Sequence, residues 1–356
     1  MAVTPRAVDH LNVGLMIASL AVAFALPFEL FLFSYAVLGP LHYLTEISWL
    51  HERQYFTHGK RDGWILGLLA LLGVLGTPAV LGRWHVEALA PYGQQFVFLA
   101  FAWALVFVVL RGTMTRWLAA IAILVLMVPF TSSAPHAWFL FGLFVTTILH
   151  VCVFTGAFML FGALRARSTS GYLACGMFAV CCVLALAVPA GPGSVTTYVR
   201  ESYLPFAALN QELGSIFGLG TSSGPSAFAS QRELFTSGGG VIVMRFIAFA
   251  YTYHYLNWFS KTSIIGWHKV DRRKLAVAVV IWVASLALYA RSYELGLRWL
   301  FLLSFAHVLL EFPLNHMSFL GIGRELRQRF GASVPKRPGV QRAAPAGAAR
   351  GAKQRS

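Results

Sequence analysis

Between His10 and Leu50 the sequence contains no lysine or arginine and only two carboxylates, Glu29 and Glu46. A bilayer crossing takes about 20 apolar residues, so this run is too long for one helix and reads as two. Pro27, Phe28 and Glu29 mark the tight outer turn between them. The first nine residues are short and polar and lack the small-residue site of a cleaved leader, so the first helix is expected to be retained.

The rest of the chain continues in the same manner. Only 12% of residues are charged and 58% are hydrophobic, with a mean hydropathy of +0.67, where a soluble domain has roughly 25% charged residues. The fold class this predicts is all-α, a polytopic transmembrane helix bundle of about ten spans. After the first, the spans fall at about 28–51, 64–81, 94–110, 117–131, 137–164, 172–190, 241–259, 275–290 and 299–320. Residues 1–322 form this helical domain, with a Gly/Ser/Pro-rich excursion at 191–240 that either packs over the bundle or moves freely. Residues 323–356 form a basic, disordered tail.

Charge orients the bundle. Assigning alternate connections to opposite sides puts 22 Lys/Arg on one side, the tail included, and five on the other: Arg83, Arg200, Arg232, Arg291 and Arg298. By the positive-inside rule both termini are cytoplasmic, and the expected location is a bacterial inner membrane. A net charge of +15 can signal nucleic acid, but here it gathers beside a membrane, so no nucleic-acid partner is expected. Arg245, about one turn inside its span, is expected to snorkel to the surface. Cys152, Cys175, Cys181 and Cys182 all fall in apolar segments and read as small core residues.

Ionisable residues in hydrocarbon cost at least about 2.5 kcal/mol each on insertion scales and need a partner. Two segments carry several in one pattern, H-x3-E-x4-H: His42, Glu46 and His51 in LHYLTEISWLH, and His307, Glu311 and His316 in HVLLEFPLNH. On a helix, positions i and i+4 share a face, so His42 with Glu46, and His307 with Glu311, can converge on one ion. Position i+9 is turned about 180° away. His51 therefore cannot join on a straight helix, whereas Pro313 offers a break that could re-aim His316.

The topology adds His150 and His254 at similar depth, and His268 in the following inner loop. The candidate metal ligands are thus His42, Glu46, His51, His150, His254, His268, His307, Glu311 and His316. Tyr253 and Asn257, beside His254 in AYTYHYLNWFSKT, are candidate catalytic side chains. Thr146 and Thr147 can satisfy backbone carbonyls or orient His150. His10, His58, His85 and His136 fall at span ends and read as interfacial.

Imidazole with carboxylate and no thiolate suits iron or another first-row metal. The ligand count exceeds the need of one ion, which points to two irons, with O2 as co-substrate, a hydrophobic lipid or isoprenoid substrate and an electron donor on the cytoplasmic face. In organisation the chain resembles the histidine-rich integral-membrane metal oxygenases of the desaturase/hydroxylase class, and more loosely the Brp/Blh carotene dioxygenases. It lacks the H-x3-H and H-x2-H-H boxes of the former and does not match the latter's pattern of His pairs with H-G and H-F-G turns. The resemblance implies metal-dependent oxygen chemistry and no particular substrate. Two other classes stay open: a proton- or metal-coupled transporter using the same His/Glu residues as a relay, and a haem-binding electron carrier, which has less use for a carboxylate at i+4.

Overall fold

The computed structural model describes residues 4–127, 129, 133–222, 226–261 and 272–330, and every regular element among them is helical. The first span is α1 (Pro5–Ala25), closed at its start by the Thr4 hydroxyl. The second is one rod in three parts: α2 (Pro27–Phe33), a π-helical turn (Ser34–Leu38) and α3 (Gly39–Glu52). The π-turn has a local cause, because Pro40 has no N–H and cannot continue the i→i−4 ladder. Ser34 then anchors the turn to a neighbouring helix through Thr252, with the hydroxyls 2.7 Å apart.

The middle of the chain supplies α4 (Asp62–Leu75), α5 (Gly93–Val109), α6 (Thr113–Met127) and α7 (Pro135–Thr146). The span expected at 137–164 is not one helix. Its ladder breaks at Thr147 (φ −121°, ψ −100°), and a second π-turn (Leu149–Phe154) leads into α8 (Thr155–Ala166). As expected from their hydroxyls, Thr146 donates to the carbonyl of Gly142 and Thr147 to that of Leu143. Next come α9 (Thr169–Ala187), the short α10 (Thr197–Tyr203), α11 (Ala207–Ile216) and α12 (Gln231–Thr236), then α13 (Gly238–Ser260), α14 (Arg272–Arg291) and the 38-residue α15 (Tyr293–Phe330).

Seven helical stretches among the described residues are long and apolar enough to cross a membrane: Pro5–Ala25, Pro27–Glu52, Glu87–Val109, Leu149–Ala166, Thr169–Ala187, Arg273–Arg291 and Tyr293–Phe330. The segments expected at 64–81 and 117–131 are shorter apolar helices of 14 and 15 residues. The segment expected at 241–259 lies in α13, which is long enough but too polar to join the seven. It is buried nearly all round, so its Tyr, Thr, His and Asn side chains meet protein instead of lipid. On the outer faces of α6, α9 and α14, Leu118, Ile121, Val125, Val183, Val280 and Val283 are exposed. A helix apolar on its outward face matches a hydrocarbon surrounding.

Helices α13 and α15 each centre one apolar core. The excursion at 191–240 packs onto the first of these: Tyr203, Phe228 and Phe235 are fully buried, and the Tyr203 ring meets Phe28 edge-on at 5.3 Å. Arg245 departs from expectation. It is buried, donates to the carbonyl of Val188 at 2.8 Å and lies over the Phe24 ring. The last carbonyls of α9 carry the negative end of that helix dipole, so the cation is held inside instead of reaching the surface.

Candidate metal centre

Four imidazoles meet in the space between α13 and α15, one from each of four chain segments. His42 comes from α3, four residues beyond the first π-turn, and His150 sits within the second. His254 comes from α13 and His307 from α15. The rings form a closed square: centroids are 4.7 Å apart for His42 and His254, 4.7 Å for His254 and His150, 5.1 Å for His150 and His307, and 5.4 Å for His307 and His42. Two edges bring nitrogens together, Nε2 of His42 and His254 at 3.1 Å and Nε2 of His150 and His307 at 3.2 Å.

Both carboxylates join from one turn further along their helices, as the i, i+4 spacing requires. Glu46 Oε2 lies 3.0 Å from His42 Nε2, Glu311 Oε2 lies 3.4 Å from His150 Nδ1, and the two carboxyl groups touch each other. None of the six residues is more than 8% exposed.

The polar atoms are close yet poorly paired. Nδ1 of His42, His150 and His307 and Oε2 of Glu46 and Glu311 are buried without a partner in hydrogen-bond geometry. An unsatisfied buried polar atom costs about 1–3 kcal/mol, so five together weigh as much as the roughly 5–15 kcal/mol by which a whole domain is stable. Metal ions held by the two carboxylates would relieve the Oε2 atoms of Glu46 and Glu311. Two ligand atoms about 2.1 Å from one ion lie roughly 3.0–3.4 Å apart in octahedral or tetrahedral geometry, which is the range of the 3.1 and 3.2 Å nitrogen pairs. His42, His254 and His307 alone form a buried triad whose ligand atoms all lie within 4.8 Å of one another, an arrangement that can hold a metal ion.

The square has two different sides. On one, a cavity of about 690 Å³ ends on His150, His307 and Tyr43. Eleven Phe and Tyr side chains line it, with Phe31, Tyr251 and Phe305 among them. The excursion contributes Tyr203 and Phe206, and the far end carries Glu201 and the exposed Glu294–Arg298 pair. On the other side, Glu46, Glu311, His42, His254, Asn257 and Lys261 line a much smaller space of about 30 Å³, enough to admit water.

The remaining candidates stand elsewhere. His51 is exposed at the end of α3 with its ring 6.1 Å from Tyr55, because no kink turns position i+9 inward. His316 is buried, but its Nε2 is 2.8 Å from the Phe101 carbonyl. α15 runs on through Pro313 as one helix, so His316 faces α5 and not the square. His268 lies outside the described residues. Tyr253 turns its hydroxyl to α1, donating to Asn12 Oδ1 at 3.1 Å, and Asn257 reaches only the small space.

Thr155 and Tyr43 are the side chains beside the square that were not singled out from the sequence, whereas Tyr251 and Tyr255, next to His254 in the sequence, line the large cavity as an aromatic wall. Thr155, the first residue of α8, places Oγ1 2.8 Å from His254 Nδ1 and so orients that ring. Tyr43 stacks on His307, with centroids 4.2 Å apart and planes at 26°, and shares a 2.8 Å hydroxyl contact with Tyr255; both line the large cavity. A signal for Tyr43 does exist in the sequence: His42 and His254 each open the same tripeptide, His-Tyr-Leu.

No protein family matches the sequence, and no curated protein or solved structure matches it either. The likeness to membrane metal oxygenases is therefore one of arrangement alone.

Proposed function

We propose that this chain is an integral-membrane, metal-dependent oxidoreductase that uses two irons and O2 on a hydrophobic small molecule. The observation that carries the reading is the convergence of four buried imidazoles and two buried carboxylates from four chain segments, with five of their polar atoms left without a partner. Four His with the Glu46 and Glu311 carboxylates would be donors enough to hold two metal ions. The large, mostly apolar cavity ending on His150 and His307 supports a hydrophobic substrate, which would reach the centre from that side. Electrons would come from a donor on the cytoplasmic face. When bound, the metal would supply oxygen activation. The chain's own part is to hold the ligands at the stated distances, fix the His254 ring through Thr155 and line the approach with aromatic surface.

Haem fits less well, since two axial imidazoles need roughly 4 Å between nitrogens and the facing pairs stand at 3.1 and 3.2 Å. The transporter reading draws on a separate observation, the presence of spaces on both sides of the square. One experiment separates the two. Protein purified from iron-supplemented cells should contain stoichiometric iron with a matching optical spectrum, lost in the folded His254→Ala, His307→Ala double variant. Metal-free wild-type protein together with His/Glu-dependent proton uptake in proteoliposomes would overturn the oxidoreductase reading in favour of the carrier.

A further inference from the structure

Cys152 and Cys182 bring their sulfurs to 3.7 Å across the contact between the second π-turn and α9. Both are half-buried free thiols. Their chain neighbours Val153, Val183 and Leu184 are 45%, 61% and 42% exposed on the apolar outer surface, so the pair lies at a lipid-facing seam. A disulfide has its sulfurs about 2.05 Å apart. The gap to close is therefore about 1.7 Å, shared between side-chain rotation and movement of the turn. The neighbouring Cys181 is buried on another face of α9, since adjacent helical positions point about 100° apart, and it is poorly placed to compete for Cys182.

Cys152 follows His150 by two residues within the same π-turn, Leu149–Phe154. Metal ligands tolerate displacements of only about 0.2 Å, well below the closure the sulfurs require. We propose that Cys152 and Cys182 form a modification site, a dithiol that a lipid-soluble quinone oxidises to an intramolecular disulfide, drawing His150 out of register with the metal centre. In that step two S–H bonds break and one S–S bond forms. The two electrons and two protons reduce the quinone to its hydroquinone.

The thiol readout is independent of the metal reading, and only the second readout rests on it, so the two can fail separately. The full-length protein in detergent is treated with tetramethyl-1,4-benzoquinone, whose fully substituted ring cannot alkylate thiols. Maleimide-reactive thiols counted after denaturation should fall from four to two. Peptide mapping should find Cys152 joined to Cys182, and Cys152→Ser or Cys182→Ser should abolish the change. Cobalt(II) titration of the oxidised protein should show affinity at least tenfold weaker than that of the reduced protein, restored by dithiothreitol and unaltered by the quinone in Cys182→Ser. Four thiols remaining, or a Cys181–Cys182 bond instead, would overturn the modification site. A Cys152–Cys182 bond with unchanged cobalt affinity would overturn its link to His150.

Discussion

Thr155→Val is the sharpest probe of whether the histidine square is a metal centre, because it leaves every proposed ligand in place. Thr155 Oγ1 stands 2.8 Å from Nδ1 of His254, and both residues are buried. If Nε2 of His254 is a ligand, Nδ1 carries the proton and donates to Thr155. Valine keeps the β-branch and nearly the same volume but removes the acceptor. An orphaned buried N–H costs about 1–3 kcal/mol. Loss of the group that orients a ligand histidine typically weakens metal binding by about 10–100-fold, or roughly 1.4–2.7 kcal/mol. These ranges agree, so the expected effect is a rise in dissociation constant within that window, measured by cobalt(II) competition against a chelator of known affinity. Thr155→Ser, which restores the hydroxyl, should recover most of it. The melting temperature of the metal-free variants separates a ligand defect from a folding defect. An affinity within threefold of wild type, with the fold intact, would refute the assignment of His254 as a ligand.

Glu46→Gln and Glu311→Gln conserve shape while removing a negative charge, and each should lower metal occupancy severalfold or more with the helical circular-dichroism signal unchanged; a silent substitution would mark that carboxyl as a hydrogen-bonding packing group. His51→Ala should leave metal content unaltered, because the ring is exposed and outside the square. His316→Ala should also keep the metal but lower stability by about 0.5–1.5 kcal/mol in urea melts, since it removes the hydrogen bond to the half-buried Phe101 carbonyl. Asp62→Asn breaks the buried pair with Arg116 beneath Phe107, and the uncompensated cation should cost about 3–5 kcal/mol in the same melts. On a cysteine-free background, Ser215→Cys should label from outside and Pro345→Cys from inside; labelling of both from one face would overturn the span map, and exchanged faces would reverse its orientation.

How much of this was legible beforehand follows from the range of the forces involved. Hydrophobic runs and helical spacing are local properties, so the all-helical, membrane-grade character and the pairing of His42 with Glu46 could be read from neighbouring residues. The same spacing correctly set His51 apart, because nothing bends α3 after Glu46. The break within 137–164 and the two π-turns were not legible as such, although Pro40 and the Thr146–Thr147 pair are their local causes. For α13 the hydropathy pattern hid the reason for its polarity, which is that the helix is wrapped by protein.

What the sequence by itself determined was which residue types lie in long apolar helices and which of them share a helix face. Only the tertiary structure decided that His42, His150, His254 and His307 meet in one square, that Thr155 serves His254, that Tyr43 covers His307 and that Tyr253 and His316 face away. The physical reason is that a helix face is defined over a few residues, whereas its rotation against a neighbour depends on packing between segments up to 265 positions apart, as for His42 and His307. Helix packing sets that rotation through the shape of every side chain at the contact, and no single motif encodes it.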